Sequence, residues 1–201
     1  MSIRTITISR EFGSGGRTIA RMVADKLGYD YYDRELVSKI AKESGLAEQF
    51  IIEQGEYATS RQSFLFDLSI GAAAENGSRT ISDQLYVIQH NIIEDLAEKG
   101  NCVIVGRCAD HILSDRDDCL HVFCYADMDF RTIRIVSIYG ESNVKPEKRL
   151  KEKDDKRKVY YKHYTGKEWG KSQNYDLCLN TGKLGLEQCA DIIVNIVKHA
   201  E

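Results

Sequence analysis

The chain has 201 residues, 42% hydrophobic and 29% charged, which suits one soluble globular domain with a full core. Its net charge of −3 leaves no footprint for nucleic acid or an anionic membrane, so any anion site must be local. The six cysteines form no C-x-x-C pair, no apolar run approaches the roughly 18 residues that span a bilayer, and no basic-then-apolar leader precedes the first strand, all of which predicts reduced thiols in a cytoplasmic protein.

The first legible stretch is ITISREFGSGGRTIARMVADKLG. Ile6 and Ile8 alternate with Thr5, Thr7 and Ser9 as a strand, Gly13, Ser14, Gly15 and Gly16 predict a tight turn, and a helix begins at Thr18. Ile19, Met22, Val23 and Leu27 give that helix one apolar face, and Gly28 stops it. A glycine-rich turn feeding a helix N-terminus aims several N–H groups, backed by the helix dipole, at one point where an anion can bind. An ordinary βα turn with glycines for close packing is the competing reading. Against the pattern G-x-x-x-x-G-K-S/T two registers are open. One sets Gly16-Arg17-Thr18 on G-K-T, with Glu11 where the first glycine belongs; the other puts Gly16 where the lysine is expected. The lysine is absent in both, and Arg10, Arg17 or a later arginine would have to supply the charge.

Tyr29 to Asp33 predicts a short second strand, with a helix over Glu35–Ser44 closed by Gly45. Asp33 then sits at a strand's C-terminal end, where it either faces a ligand or caps the next helix. Residues 46–80 read as a helical, mobile excursion. A clearer helix spans Ser82–Lys99, with Leu85, Ile88, Ile92 and Leu96 in one stripe. Asn101 to Arg107 reads as a buried strand ending in a glycine and an arginine, and that Arg107 either grips a phosphate or makes an ion pair with Asp110 or Asp127.

A fourth strand is predicted at Leu120–Tyr125, a helix over Asp127–Tyr139 with Arg131 and Arg134 on one face, and a highly charged helix starting at Pro146. Most of its lysines read as a solvated face, whereas Arg149, Asp154, Lys156 and Arg157 suit a hairpin that closes on a transferring phosphoryl group. Trp169 and the tyrosines at 160, 161 and 164 either stack on a base or pack on their own core. A fifth strand at Tyr175–Thr181 and a helix through Leu186, Ala190, Ile193 and Val197 complete alternating βα units, the pattern of a doubly wound parallel α/β sheet.

Five segments carry a resemblance over nearly the whole chain. ISREFGSGGR, YYDRELV, VIVGRCADHIL, DDKRKVYYKHYTGKEWG and NYDLCLNTGKLG resemble the cytidylate kinase-like family, a branch of the P-loop nucleoside monophosphate kinases. The resemblance implies a three-layer α/β/α fold on a five-stranded parallel sheet of adenylate kinase-like type, in a single domain of residues 1–201. Its core would be 1–34, 100–130 and 171–201, with an acceptor-binding helical arm at about 35–99 and a lid at about 131–170. It implies ATP with Mg²⁺ as donor, Gly13, Ser14, Gly15, Gly16, Arg17 and Thr18 at the donor phosphates, and Arg17, Arg131, Arg134 and Arg157 as catalytic cations. Arg107, in G-R-C-A-D, would bind the acceptor phosphate, and Asp154, of a D-x-x-R pair, would lie near the acceptor ribose, with Asp33 on the same side.

Three positions depart from true cytidylate kinases: the loop lysine is missing, Val105 replaces an acidic residue before G-R, and Cys108 replaces the aspartate after it. Magnesium would then have no direct protein carboxylate and be held by substrate phosphates, water and a hydroxyl such as Thr18 or Ser14, with Asp110 or Asp33 further out. The expected activity is phosphoryl transfer from ATP to a nucleoside monophosphate such as CMP or dCMP. A non-catalytic nucleotide-binding or regulatory protein of this fold, and a small-molecule kinase with another acceptor, are the alternatives.

Overall fold

The computed structural model describes residues 2–48, 51 and 81–200. Its elements, in chain order, are β1 (Thr5–Arg10), α1 (Gly16–Leu27), β2 (Asp30–Tyr32), α2 (Arg34–Ser44), α3 (Ile81–Lys99), β3 (Cys102–Val105) and a short α4 (Ala109–Ile112). There follow β4 (Cys119–Tyr125), α5 (Met128–Tyr139), α6 (Pro146–Thr165), β5 (Leu177–Asn180), a short α7 (Thr181–Leu184) and α8 (Leu186–His199). Of the helical excursion expected over 46–80, only 46–48 and 51 are among the described residues.

The strands form one sheet in the order β2-β3-β1-β4-β5, every neighbouring pair parallel. Helices cover both faces, as a sheet buried on both sides requires. Ile6 and Ile8 of β1 pack against Ile19 and Val23 of α1 and Cys189 and Ile193 of α8, all fully buried. On the other face Ile104 meets Leu36, Ile40 and Ile93 from α2 and α3. The alternation in β1 therefore separates two buried faces, not an inside from an outside. Thr5, Thr7 and Ser9 are at most 4% exposed and find buried partners: Thr5 Oγ1 lies 3.8 Å from Cys102 Sγ, Thr7 Oγ1 2.9 Å from His121 Nδ1, and Ser9 Oγ donates to Asp110 at 3.4 Å.

Several predicted boundaries move, the fifth strand shortening to Leu177–Asn180 among them, and two of the shifts bear on the site. Helix α1 starts at Gly16, which puts Arg17 and Thr18 in its first turn. The strand expected to run through Arg107 stops at Val105, because Gly106, Arg107 and Cys108 take successive left-handed φ values of 73°, 61° and 56°. Such backbone costs roughly 1–3 kcal/mol at a non-glycine residue and persists only where the surroundings impose it. The carboxyl ends of β1, β3 and β4 meet where connections leave in opposite directions, the crevice in which open α/β sheets bind ligands.

Candidate functional site

The turn after β1 is fixed by its own hydrogen bonds. Gly13 and Gly15 have φ of 83° and 90°, and a Cβ on Gly15 would lie 2.5 Å from Leu186 Cδ2. Ser14 is fully buried; its Oγ donates to Glu11 O at 2.9 Å, and its carbonyl lies 2.5 Å from Thr181 Oγ1, which is also 3.1 Å from Tyr125 O. The first intrahelical bond of α1 runs from Ile19 N to Gly15 O, so the amides of Gly16, Arg17 and Thr18 precede it and sit at the positive end of the helix dipole. Beside them is a cleft of about 140 Å³ that also touches Arg10, Arg134, Tyr139 and Arg157.

Arginines from four elements meet around this turn in different ways. Arg10 of β1 is buried with its stem against Gly16, where an added Cβ would lie 2.5 Å from Arg10 Cβ and 3.0 Å from Cγ. No side chain fits at position 16, lysine included, while Arg10 runs there. Arg17 turns to the end of β2 and pairs with Asp33, Nη2 donating to Oδ1 at 3.1 Å with Nε 2.9 Å from Oδ2. Arg131 of α5 is buried, donating from Nε to Phe12 O at 2.8 Å and pairing with Glu11 at 3.1 Å and with Asp154. Burial pushes the Glu11 carboxyl up, and Arg131 works against that. Arg157 of α6 donates to Arg10 O at 2.9 Å and reaches Asp154 at 3.4 Å.

Arg134 differs, since its Nη2 donates to the neutral Thr18 Oγ1 at 2.7 Å while its guanidinium faces the cleft. Burial draws its pKa below the ordinary arginine range, and among the described residues no carboxylate is paired with it. Asp154 is buried, accepts Phe12 N at 2.7 Å, and so engages the turn after β1 in this arrangement. Arg149 donates to Gly140 O at 3.0 Å, where α5 gives way to the segment leading into α6.

A second cluster lies past β3. Arg107 is 4% exposed, its carbonyl held by Gln89 Nε2 at 2.8 Å, and it borders two small cavities of about 10 Å³ shared with Tyr160. Tyr86 and Tyr164 stack across one of them, with centroids 4.0 Å apart and planes 3° from parallel. Asp110, next but one to Cys108, is 4% exposed, and accepts the Tyr161 hydroxyl at 2.7 Å and Ser9 at 3.4 Å. Burial pushes its carboxyl up to about 6, against those hydrogen bonds, which lower it. Trp169 packs edge-on to Phe123 with centroids 5.3 Å apart.

The sequence reading missed Gln89 and Thr181 as members of the site, and it weighed Tyr161 for base stacking or core packing, not for a bond to Asp110. Only Tyr161 carried a signal: with Leu150, Asp154 and Arg157 it completes a helical stripe, and those four are the buried residues of α6.

Among the described residues no group of three or more His, Cys, Asp and Glu side chains is arranged to hold a metal ion. A cation at Thr18 Oγ1 would face the Arg134 guanidinium, and Ser14 Oγ is turned to Glu11 O, so neither hydroxyl fits a protein-held magnesium here. Asp33 is engaged by Arg17 and Asp110 by Tyr161.

Two consequences can be measured. Gly16→Ala forces the α1 turn off Arg10 and should cost roughly 1–3 kcal/mol by urea unfolding; a neutral result would mean that Arg10 does not occupy that space. Asp110 binds its proton more tightly in the folded chain than in the unfolded one. Its contribution is therefore complete below its ordinary 3.8 and is lost as pH rises through about 6. The stability of Asp110→Asn relative to the parent should accordingly improve between about pH 4 and about pH 7.5, by up to about 3 kcal/mol. A difference that does not change with pH would rule out the raised carboxyl.

Comparison with known proteins agrees with this geometry. Residues 5–183 match the cytidylate kinase-like family. A curated relative, named cytidylate kinase, from Archaeoglobus fulgidus is 30% identical over 199 residues, 96% of this chain and 94% of its own. A solved structure of an uncharacterized protein from Eubacterium ventriosum superposes with a TM-score of 0.74 at 28% identity, over 98% of this chain and 99% of its own. Shikimate kinase from Acinetobacter baumannii, solved with shikimate, shares the fold at a TM-score of 0.56 and 14% identity, over 99% of this chain and 95% of its own. No described helix is long and apolar enough to cross a membrane. Matched from its first strand almost to its last helix, the chain belongs to the cytidylate kinase-like family and, as a member, is a nucleotide or small-molecule kinase.

Proposed function

We propose that the protein transfers the γ-phosphoryl group of ATP to a nucleoside monophosphate, with CMP and dCMP as the first acceptors to try. The observation that carries this reading is the 140 Å³ cleft, where a glycine turn, the first amides of α1 and the Arg134 guanidinium face one volume. Gly13 to Thr18 would cradle the donor phosphates, and ATP would bring Mg²⁺ on its own phosphates. Arg107, with Asp33, would serve the acceptor. The α5–α6 pair would be the lid, residues 35–99 the acceptor arm, and the sheet with its remaining helices the core of one domain.

An acceptor phosphate oxygen attacks the γ-phosphorus, the bond to the β-phosphate oxygen breaks, and ADP leaves. Such transfer needs alignment and charge neutralisation more than a covalent nucleophile. Arg134 would take over the charge of the missing lysine, because its guanidinium lines the cleft beside the first turn of α1 and hydrogen-bonds to a neutral hydroxyl there. Arg131 and Arg157 would act by holding the turn in shape, and Arg17 by fixing Asp33. A small-molecule acceptor is the second reading, since shikimate kinase, solved with shikimate, shares the fold.

ADP formation measured with a panel of nucleoside monophosphates and small hydroxylated acceptors separates the two readings, with ATP affinity measured by calorimetry on the same preparation. Arg134→Ala should lower kcat by roughly 100-fold or more, the usual scale for removing a donor to transition-state charge, whereas Arg17→Ala should act mainly on acceptor KM. Equal kcat losses would return Arg17 to the donor site.

A further inference from the structure

We propose that Asp110 is a positioning residue, which by accepting the Tyr161 hydroxyl seats α6, and with it Arg157, over the glycine turn. The inference rests on the reading above, in which that turn is the donor site.

The seat of α6 is mostly polar. Its buried stripe is Leu150, Asp154, Arg157 and Tyr161, one aliphatic side chain followed by three polar ones. Directional bonds therefore decide where the helix lies. Asp154 and Arg157 reach the backbone of Phe12 and Arg10, Tyr160 and Tyr164 reach Gln89 and Ser82 of α3, and Tyr161 reaches Asp110 at the β3 edge of the sheet. Tyr161 lies four residues after Arg157 on the same face, so a shift at one moves the other.

A carboxylate is a costly choice for a purely structural contact here. The groups that interact with the Asp110 carboxyl are Ser9 from β1, Tyr86 from α3, Tyr161 from α6, Tyr175 ahead of β5 and Lys167 after α6, while Arg107, Cys108 and His111 adjoin it in sequence. Its carboxyl accepts the Tyr161 and Ser9 hydroxyls and its own backbone N–H, and its burial favours the neutral form. A charged acceptor, by contrast, makes the stronger bond to a phenol, so the ionised form grips Tyr161 more firmly than the protonated one. Asp110 thus ties ionisation at the sheet edge to the place of the helix that carries Arg157.

The test uses Asp110→Asn, which keeps the shape and an accepting oxygen, and Tyr161→Phe, which removes the donor. Each should lower kcat about tenfold or more while leaving the KM for ATP within about threefold, and the double variant should be no worse than the poorer single one. Parent kcat should fall as pH drops through about 6, and that limb should vanish in Asp110→Asn. A second readout needs no turnover: Trp169, the only tryptophan, borders the same cavity as Tyr161 and Arg107, so its fluorescence should titrate in the parent without substrate and be flat in Asp110→Asn. His111 remains in that variant, so a titration that survives the substitution overturns the proposal. So do additive losses in the double variant. If no acceptor supports turnover, the functional reading fails, while the tryptophan titration still decides the seat of α6.

Discussion

One buried carboxylate holds the candidate donor site in shape. Asp154 accepts Phe12 N and pairs with Arg131 and Arg157, joining the turn after β1 to α5 and α6 at one point. Arg131 reaches back to Phe12 O and Arg157 to Arg10 O, so both guanidinium groups also hold the backbone of that turn. A buried anion with two buried cations is not a cheap source of stability, because desolvation opposes the attraction. What the arrangement supplies is geometry, since removing Asp154 would leave two guanidinium groups facing each other beneath the turn. The 140 Å³ cleft keeps its form because that charge is matched inside the protein.

The missing loop lysine follows from the same economy of space. Arg10 ends β1 with its stem under Gly16, and Gly16 has no room for any side chain. A cation for donor phosphates then has to come from outside the turn, and Arg134 arrives from α5, across Thr18. The cation beside the turn thus sits on a helix outside the β1–α1 unit, not on the floor of the cleft. Arg17 is held elsewhere, where its contact with Asp33 pins the start of α1 to the end of β2.

The sheet, the helices on both its faces and the glycine turn were legible in the sequence because period-2 and period-3.6 patterns report burial directly. Three features were not, for different physical reasons. Thr5, Thr7 and Ser9 look like the solvent side of a strand, since a polar residue gives the same pattern whether it meets water or a buried His121 or Asp110. The left-handed run from Gly106 to Cys108 is invisible because two of its members are not glycine, and the conformation is imposed by packing. Arg17 with Asp33 and Thr181 with Ser14 are contacts between distant segments that no local spacing encodes. The glycine loop, Arg107 and the arginines of the charged helix were candidates from residue type and place, and the resemblance added their roles, but neither could say which arginine holds the backbone and which faces the cleft.

The two faces of β1 divide the work of the fold. Ile6 and Ile8 lock against α1 and α8 in an apolar layer that tolerates little movement. The opposite face carries a buried row of hydroxyls that ends at Ser9, beside Asp110 and one bond from Tyr161. Apolar packing there would stabilise the sheet as well, but it would be indifferent to charge and to the exact seat of α6. A polar row is selective on both counts, since each hydroxyl is satisfied in only a few arrangements of its neighbours and an unsatisfied one costs roughly 1–3 kcal/mol. The strand that is locked by apolar packing on one side is therefore tied by directional bonds on the other, and those bonds lead through Asp110 to α6.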